Sequence, residues 1–209
     1  MTLMRPTNDA PVGASFLGYQ EATILNIKDR ADEFDWADVY VDVILATPNS
    51  KYSTTMRIKG SYKRNTDNTI DANSKLVKDI YSFFDAIGYT GGIDNAGTFC
   101  NNKGEPVSIE SELSSYISGK TPEDTDHEFN LYVYVYKDWN IKRKKAYTTV
   151  HNYIQPNTEE GREKCNDRIE YLLKNGFLKE ATSEQLNSVN GSIGQVTTDN
   201  VLDSVPLVI

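Results

Sequence analysis

Residues 129–154 read FNLYVYVYKDWNIKRKKAYTTVHNYI, and no other stretch of the 209-residue chain constrains it as much. Side chains alternate from Leu131 to Tyr136, the period of a strand lying between two different environments. Leu131, Val133 and Val135 share one face, and Tyr132, Tyr134 and Tyr136 share the other. Residues 138–145 turn, and 146–154 return as a second strand. On that strand Tyr147, His151 and Tyr153 have one parity, Val150 and Ile154 the other. A hairpin is expected, with strands at 129–137 and 146–154. Trp139 and the run Lys142, Arg143, Lys144 and Lys145 sit at its tip. Rings along a sheet face beside cations can stack bases and neutralise phosphates. The same tyrosines equally suit a second apolar layer under a helix, because Tyr favours strands and carries its polar group at the end of a large ring.

Outward from this hairpin, residues 16–28 are β-rich and 33–47 alternate strongly. Val39, Val41, Val43 and Leu45 face one way; Asp38, Tyr40 and Asp42 face the other. Pro48, Asn49 and Ser50 form a turn, and 51–63 alternate again, with Tyr52, Met56 and Ile58 opposite Arg57, Lys59 and Lys63. Residues 71–87 carry a single apolar stripe (Leu76, Val77, Ile80, Phe83, Phe84, Ile87) and stop at Gly88, so a helix is expected there. The Gly- and Asn-rich stretch 88–105 reads as loop with a short strand near Thr98 and Phe99. A short helix is expected at 109–117, and another after Pro156, capped by Asn157 or Thr158. Residues 1–14 read as a flexible leader, 15–181 as one domain and 182–209 as a mobile, lightly acidic tail. The class is α+β, mainly β.

Net charge is −8, which argues against a uniformly basic nucleic-acid binder. The average conceals segregation. Residues 51–64 hold five cations and no acid, including Arg57, Lys59, Lys63 and Arg64. Residues 137–145 hold five cations against Asp138, whereas 28–42 hold six acids against Lys28 and Arg30. Sorted charge produces a local field that net charge does not report.

Other chemistries have less support. Cys100 and Cys165 lack metal-ligand spacing, and with His127 and His151 as the only histidines no zinc site is expected. Asp38 and Asp42 lie four residues apart on one strand face and could bind a divalent cation, the basis of a metal-dependent nuclease reading. An acidic face balancing the neighbouring basic strand accounts for them equally. The loop 88–97 has neither phosphate-cradling glycine pattern, and GxSxG, HExxH and CxxC are absent. A binding protein rather than an enzyme is expected, with no cofactor and no metal. Residues 1–13 lack an apolar segment of the secretory type, so a cytoplasmic location is expected.

The layout resembles bacteriophage single-stranded-DNA-binding proteins. The features that carry the likeness are the strands at 16–28, 33–47, 51–63, 129–137 and 146–154, the helix at 71–87 between the third and fourth, and the tail. The resemblance implies an oligonucleotide-binding (OB) barrel of five antiparallel strands with two to three added helices. It implies sequence-nonspecific binding of single-stranded DNA in replication, recombination or repair. The bases would stack on Tyr132, Tyr134, Tyr136, Trp139 and Tyr147. The phosphates would meet Arg57, Lys59, Lys63, Arg64, Lys142, Arg143, Lys144 and Lys145. The tail, through Asp199, Asp203, Pro206, Leu207, Val208 and Ile209, would recruit replication or recombination proteins and shield the DNA groove. A virion or other interaction protein, using the tyrosine face as its interface, is the alternative.

Overall fold

The computed structural model describes residues 17–48, 53–118 and 130–191. The leader 1–14, the turn at Asn49 and Ser50, the acidic stretch 121–126 and the tail from 192 to Ile209, with Asp199 and Asp203, lie outside them. Among the described residues no helix is long and apolar enough to cross a membrane.

β1 (Gly18–Asp29), β2 (Val39–Ala46) and β3 (Thr54–Gly60) form a meander. α1 (Lys75–Ile87) follows, then a small hairpin of β4 (Gly92–Ile93) with β5 (Phe99–Cys100), and α2 (Ile109–Ser118). β6 (Asn130–Asn140) and β7 (Lys145–Val150) make the aromatic hairpin. After them come β8 (Gln155–Pro156), α3 (Glu159–Lys174) and α4 (Ser183–Gly191). The main sheet is antiparallel in the order β3-β2-β1-β6-β7, and β8 pairs with β6.

β1 holds the sheet together because it pairs with two strands along different halves. Gly18–Thr23 ladder with β6, and Thr23–Asp29 with β2. The register slips between Ile24 and Asn26, so Leu25 is an extra residue and stands 59% exposed. Such a bulge bends its strand and increases the twist. It also returns Ile27 to the buried face that Ala22 and Ile24 occupy. The bent sheet brings its two edges, β3 and β7, to within 8 Å between Cα atoms, and no ladder joins them. A large antiparallel sheet with helices is thus established, while the strand edges stay unpaired.

The core fills the concave side. Val39, Val41, Val43, Leu45, Met56, Ile58, Leu131, Val133 and Val135 meet the stripe of α1, with Phe83 and Phe84 fully buried. α1 begins four residues later than its pattern allows, because the Asp71 carboxylate accepts a hydrogen bond from the Asn73 N–H (2.9 Å) and holds a turn there. It ends at Gly88, whose positive φ of 68° lets the Tyr89 N–H reach the Phe84 carbonyl. α3 is capped by Thr158, whose hydroxyl accepts from the Gly161 N–H (3.1 Å).

The face of β2 carrying Tyr40 and Asp42 is buried as well as the valine face, because neighbouring rings and arginines cover it. Within the stretch expected as tail, α4 runs over Ser183–Gly191, and just before it the Ala181 N–H donates to the Lys137 carbonyl at 2.8 Å.

Because Phe83 is fully enclosed between α1 and the sheet, Phe83→Ala should cost about 3–5 kcal/mol in urea unfolding. A loss below about 1 kcal/mol would place the ring outside the cooperative core.

Candidate functional site

The tyrosine row of β6 lies beneath α3. Tyr134 is 8% exposed, and its hydroxyl donates to Glu180 at 2.8 Å. Tyr19 from β1 joins it, stacked on Tyr132 (centroids 5.7 Å) and edge-on to Tyr134 (4.9 Å). The Tyr19 hydroxyl donates to the Asn166 carbonyl of α3. These rings pack with Cys165, Ile169, Leu172, Leu173 and Leu178 as a second, smaller core. Burial drives the Tyr19 phenol up to about 12 and the Tyr134 phenol higher still, with Glu180 adding to the latter. Of the expected stacking platform, Tyr134 is therefore buried and Tyr132 half-buried beneath α3. The apolar stripe of α3 needs a surface, and the rings supply one while their hydroxyls reach partners at its rim. Tyr136 is half-buried at the edge of this layer, and Trp139 lies farther along β6.

Another surface gathers cations and rings. A groove of about 1650 Å³ runs along the seam between β3 and β7. Tyr40, Arg57 and Lys59 line it from the outer face of β2 and β3, and Tyr147, Thr148 and Thr149 from β7. The polar side of α1 contributes Lys75, Lys78, Asp79 and Ser82; Arg168 and Phe177 complete it. Seven cations line the groove (Arg30, Arg57, Lys59, Lys75, Lys78, Arg143 and Arg168) against Asp79 and Asp138. In a chain of net charge −8 that is a strong local inversion.

Of the residues singled out in the sequence, the groove collects Arg57, Lys59, Tyr136, Arg143 and Tyr147. Lys142, Lys144 and Lys145 are exposed around the β6–β7 turn but do not line it. Lys63 pairs with Asp71 (3.1 Å), and Arg64 donates to the Asn68 and Ala96 carbonyls, so both serve the loop beside α1. Lys75, Lys78, Asp79 and Ser82 recur at helical spacing opposite the apolar stripe. Their exposure was readable in the sequence; what they face was not.

The segment 28–42, acidic in sequence, supplies the aromatic end of the groove. Phe34 stacks on Tyr40 at 4.2 Å. The Arg30 guanidinium lies 5.5 Å from both rings, and the Lys59 ammonium 5.6 Å from Tyr40. Trp36 stands beside them, 53% exposed. Asp42 is held by Arg30 (3.1 Å) and Arg57 (3.0 Å), and Asp38 accepts the Tyr62 N–H (2.7 Å). The carboxylate pair that suggested metal binding is thus engaged by two guanidiniums and a backbone amide. Among the described residues no group of three metal-binding side chains converges.

His151 lines the groove with Nδ1 accepting the Tyr153 N–H at 3.0 Å, which leaves the proton of the neutral ring on Nε2. Burial lowers its pKa to about 4, reinforced by Lys75 and Arg168 and opposed by Asp79.

No known protein family matches the chain, and neither a curated protein nor a solved structure does.

The folded pKa of His151 lies below the unfolded value, so its contribution to stability is complete above about pH 6.5 and is lost as pH falls through about 4. Between pH 7 and 5, above the carboxylate range, the melting temperature of the wild type should fall more steeply than that of His151→Asn. Parallel curves would show that the ring protonates as freely folded as unfolded.

Proposed function

We propose that the chain is a sequence-nonspecific single-stranded-DNA-binding protein, of the kind that serves phage replication, recombination and repair, and that the strand lies in the groove between β3 and β7. The observation that carries this reading is the gathering of seven cations and exposed or half-buried rings along one groove of an acidic chain. Backbone phosphates would meet Lys59, Arg143 and the α1 lysines, and bases would stack on Tyr147, Phe34 and Trp36. This moves the stacking surface away from Tyr132 and Tyr134, which α3 covers.

The strand order supports an OB-like barrel as the frame. Joining the facing edges β3 and β7 would give the circuit β1-β2-β3-β7-β6-β1, with a helix between the third and fourth barrel strands. In that fold the face of the second and third strands, flanked by the first and last hairpin loops, binds oligonucleotides. Here Arg57 and Lys59 lie on that face, Arg30, Phe34 and Trp36 in one flanking loop, and Arg143 in the other.

Fluorescence anisotropy of a labelled oligo-dT should show binding that weakens linearly in log–log salt plots, with a slope near −0.7 per phosphate contacted. Tyr147→Ala should weaken it by about 1–3 kcal/mol, and Lys59→Gln with Arg143→Gln should make the slope shallower. Absence of binding at low salt, or equal binding of duplex, would defeat the reading.

A further inference from the structure

One end of the groove differs from the rest. There the polar side of α1 meets the segment after β7 and the flank of α3, bringing Lys75, Lys78, His151, Asn152 and Arg168 to one wall. Three stretches far apart in sequence supply these groups. His151 feels the charges of Lys75 and Arg168 directly, with Asp79 as the opposing carboxylate. Asp79 pairs with Lys75 and accepts from the Asn152 amide at 3.5 Å, so it orients both. Among the described residues, neither Lys78 nor Arg168 makes an ion pair; Lys78 feels the Asp71 carboxylate at longer range, and Arg168 lies 5.8 Å from the Tyr171 ring.

The start of α1 faces the same end. No acidic residue occupies its first turn, and the open N–H groups of a helix start attract anions. A second observation points to a ligand. The cap residue Ser74, 9% exposed, leaves its Oγ without a hydrogen-bond partner. Buried hydroxyls without partners are uncommon. Nearby, the Nε2–H of His151 can donate without any change of charge, since Nδ1 is already held by Tyr153. Converging cations, an idle hydroxyl at the helix start and a fixed donor together suit a tetrahedral oxyanion.

We propose that this corner is a discrete phosphate site, in which Lys75, Lys78, Arg168 and the imidazole of His151 hold a single phosphoryl group of the bound strand. The inference rests on the groove being a nucleic-acid site. It adds that one phosphate is held there by cations acting together, while the others along the groove are met singly.

The test measures oligo-dT anisotropy against salt for Lys78→Gln, Arg168→Gln and the double variant, with melting curves confirming that each folds. Both side chains are exposed, so folding should be retained. Each single variant should weaken binding about tenfold and make the slope shallower by up to about 0.7, one phosphate's worth. The double variant should do clearly less than the product of the two, because both cations serve one group. As a control, Arg168→Gln with Arg143→Gln, in the β6–β7 turn at the far end of β7, should multiply. Inorganic phosphate should displace the wild type more than chloride of equal ionic strength does, and this excess should vanish in Arg168→Gln. A gain for 5′-phosphorylated oligo-dT that Arg168→Gln abolishes would identify the group as a strand terminus; equal binding with coupling intact would identify an internal phosphodiester. Multiplying effects of Lys78→Gln and Arg168→Gln would overturn the site while leaving the groove reading standing. No oligo-dT binding by the wild type would remove both.

Discussion

The structure depends on one strand serving two partners. β1 pairs with β6 through its first half and with β2 through its second, and the bulge at Leu25 permits the bend between them. Without the extra residue, Ile27 would turn to the outer face, because side chains along a strand alternate. The bend brings β3 and β7 towards each other across the concave core. The seam between those edges is where the groove lies, so the candidate site follows from a register shift in a strand that contributes no side chain to it.

The distribution of charge follows from the same geometry. Acids that would oppose a polyanion are engaged inside the protein: Asp42 by Arg30 and Arg57, Asp38 by the Tyr62 amide, Glu110 by the Asp29 N–H. Asp42 is only 10% exposed at its side chain, so its charge is largely compensated before any ligand arrives. Arg30 meanwhile also lies over Phe34 and Tyr40, which keeps it at the mouth of the groove. Acidic residues that remain fully exposed, such as Glu163, Asp167 and Glu170 on α3, lie around a different pocket.

Much of the frame was legible because periodicity reports burial directly. The alternation of residues 129–137, the valine face of β2 and the stripe of α1 all mark elements that exist. The bulge at Leu25 was not legible, since an apolar residue in a β-rich run looks like any other strand position. Nor was α4, whose sequence SEQLNSVNG has little apolar content and is joined to the domain through the backbone bond from Ala181 to Lys137. Within the site, single strands announced Arg57, Lys59, Arg143 and Tyr147. The contributions of Arg30, Lys75, Lys78 and Arg168 arise only when three separate segments converge, and periodicity within one segment carries no information about that.

The tyrosines of β6 show why an aromatic face need not be a binding face. Covering a large side chain contributes about 1.5–3 kcal/mol, and stacking a base on a ring contributes about 1–3 kcal/mol. Per ring the two uses are nearly equal in energy. The difference lies in concentration: α3 is tethered to β6 through β8, so its effective concentration is set by a short connection, typically millimolar or more. A DNA strand would have to exceed that to displace it, and would also break the bond from Tyr134 to Glu180. Rings reached by a helix of their own chain are therefore closed to bases. Tyr147 lies on β7, against which α4 packs, yet it stays 41% exposed and lines the groove.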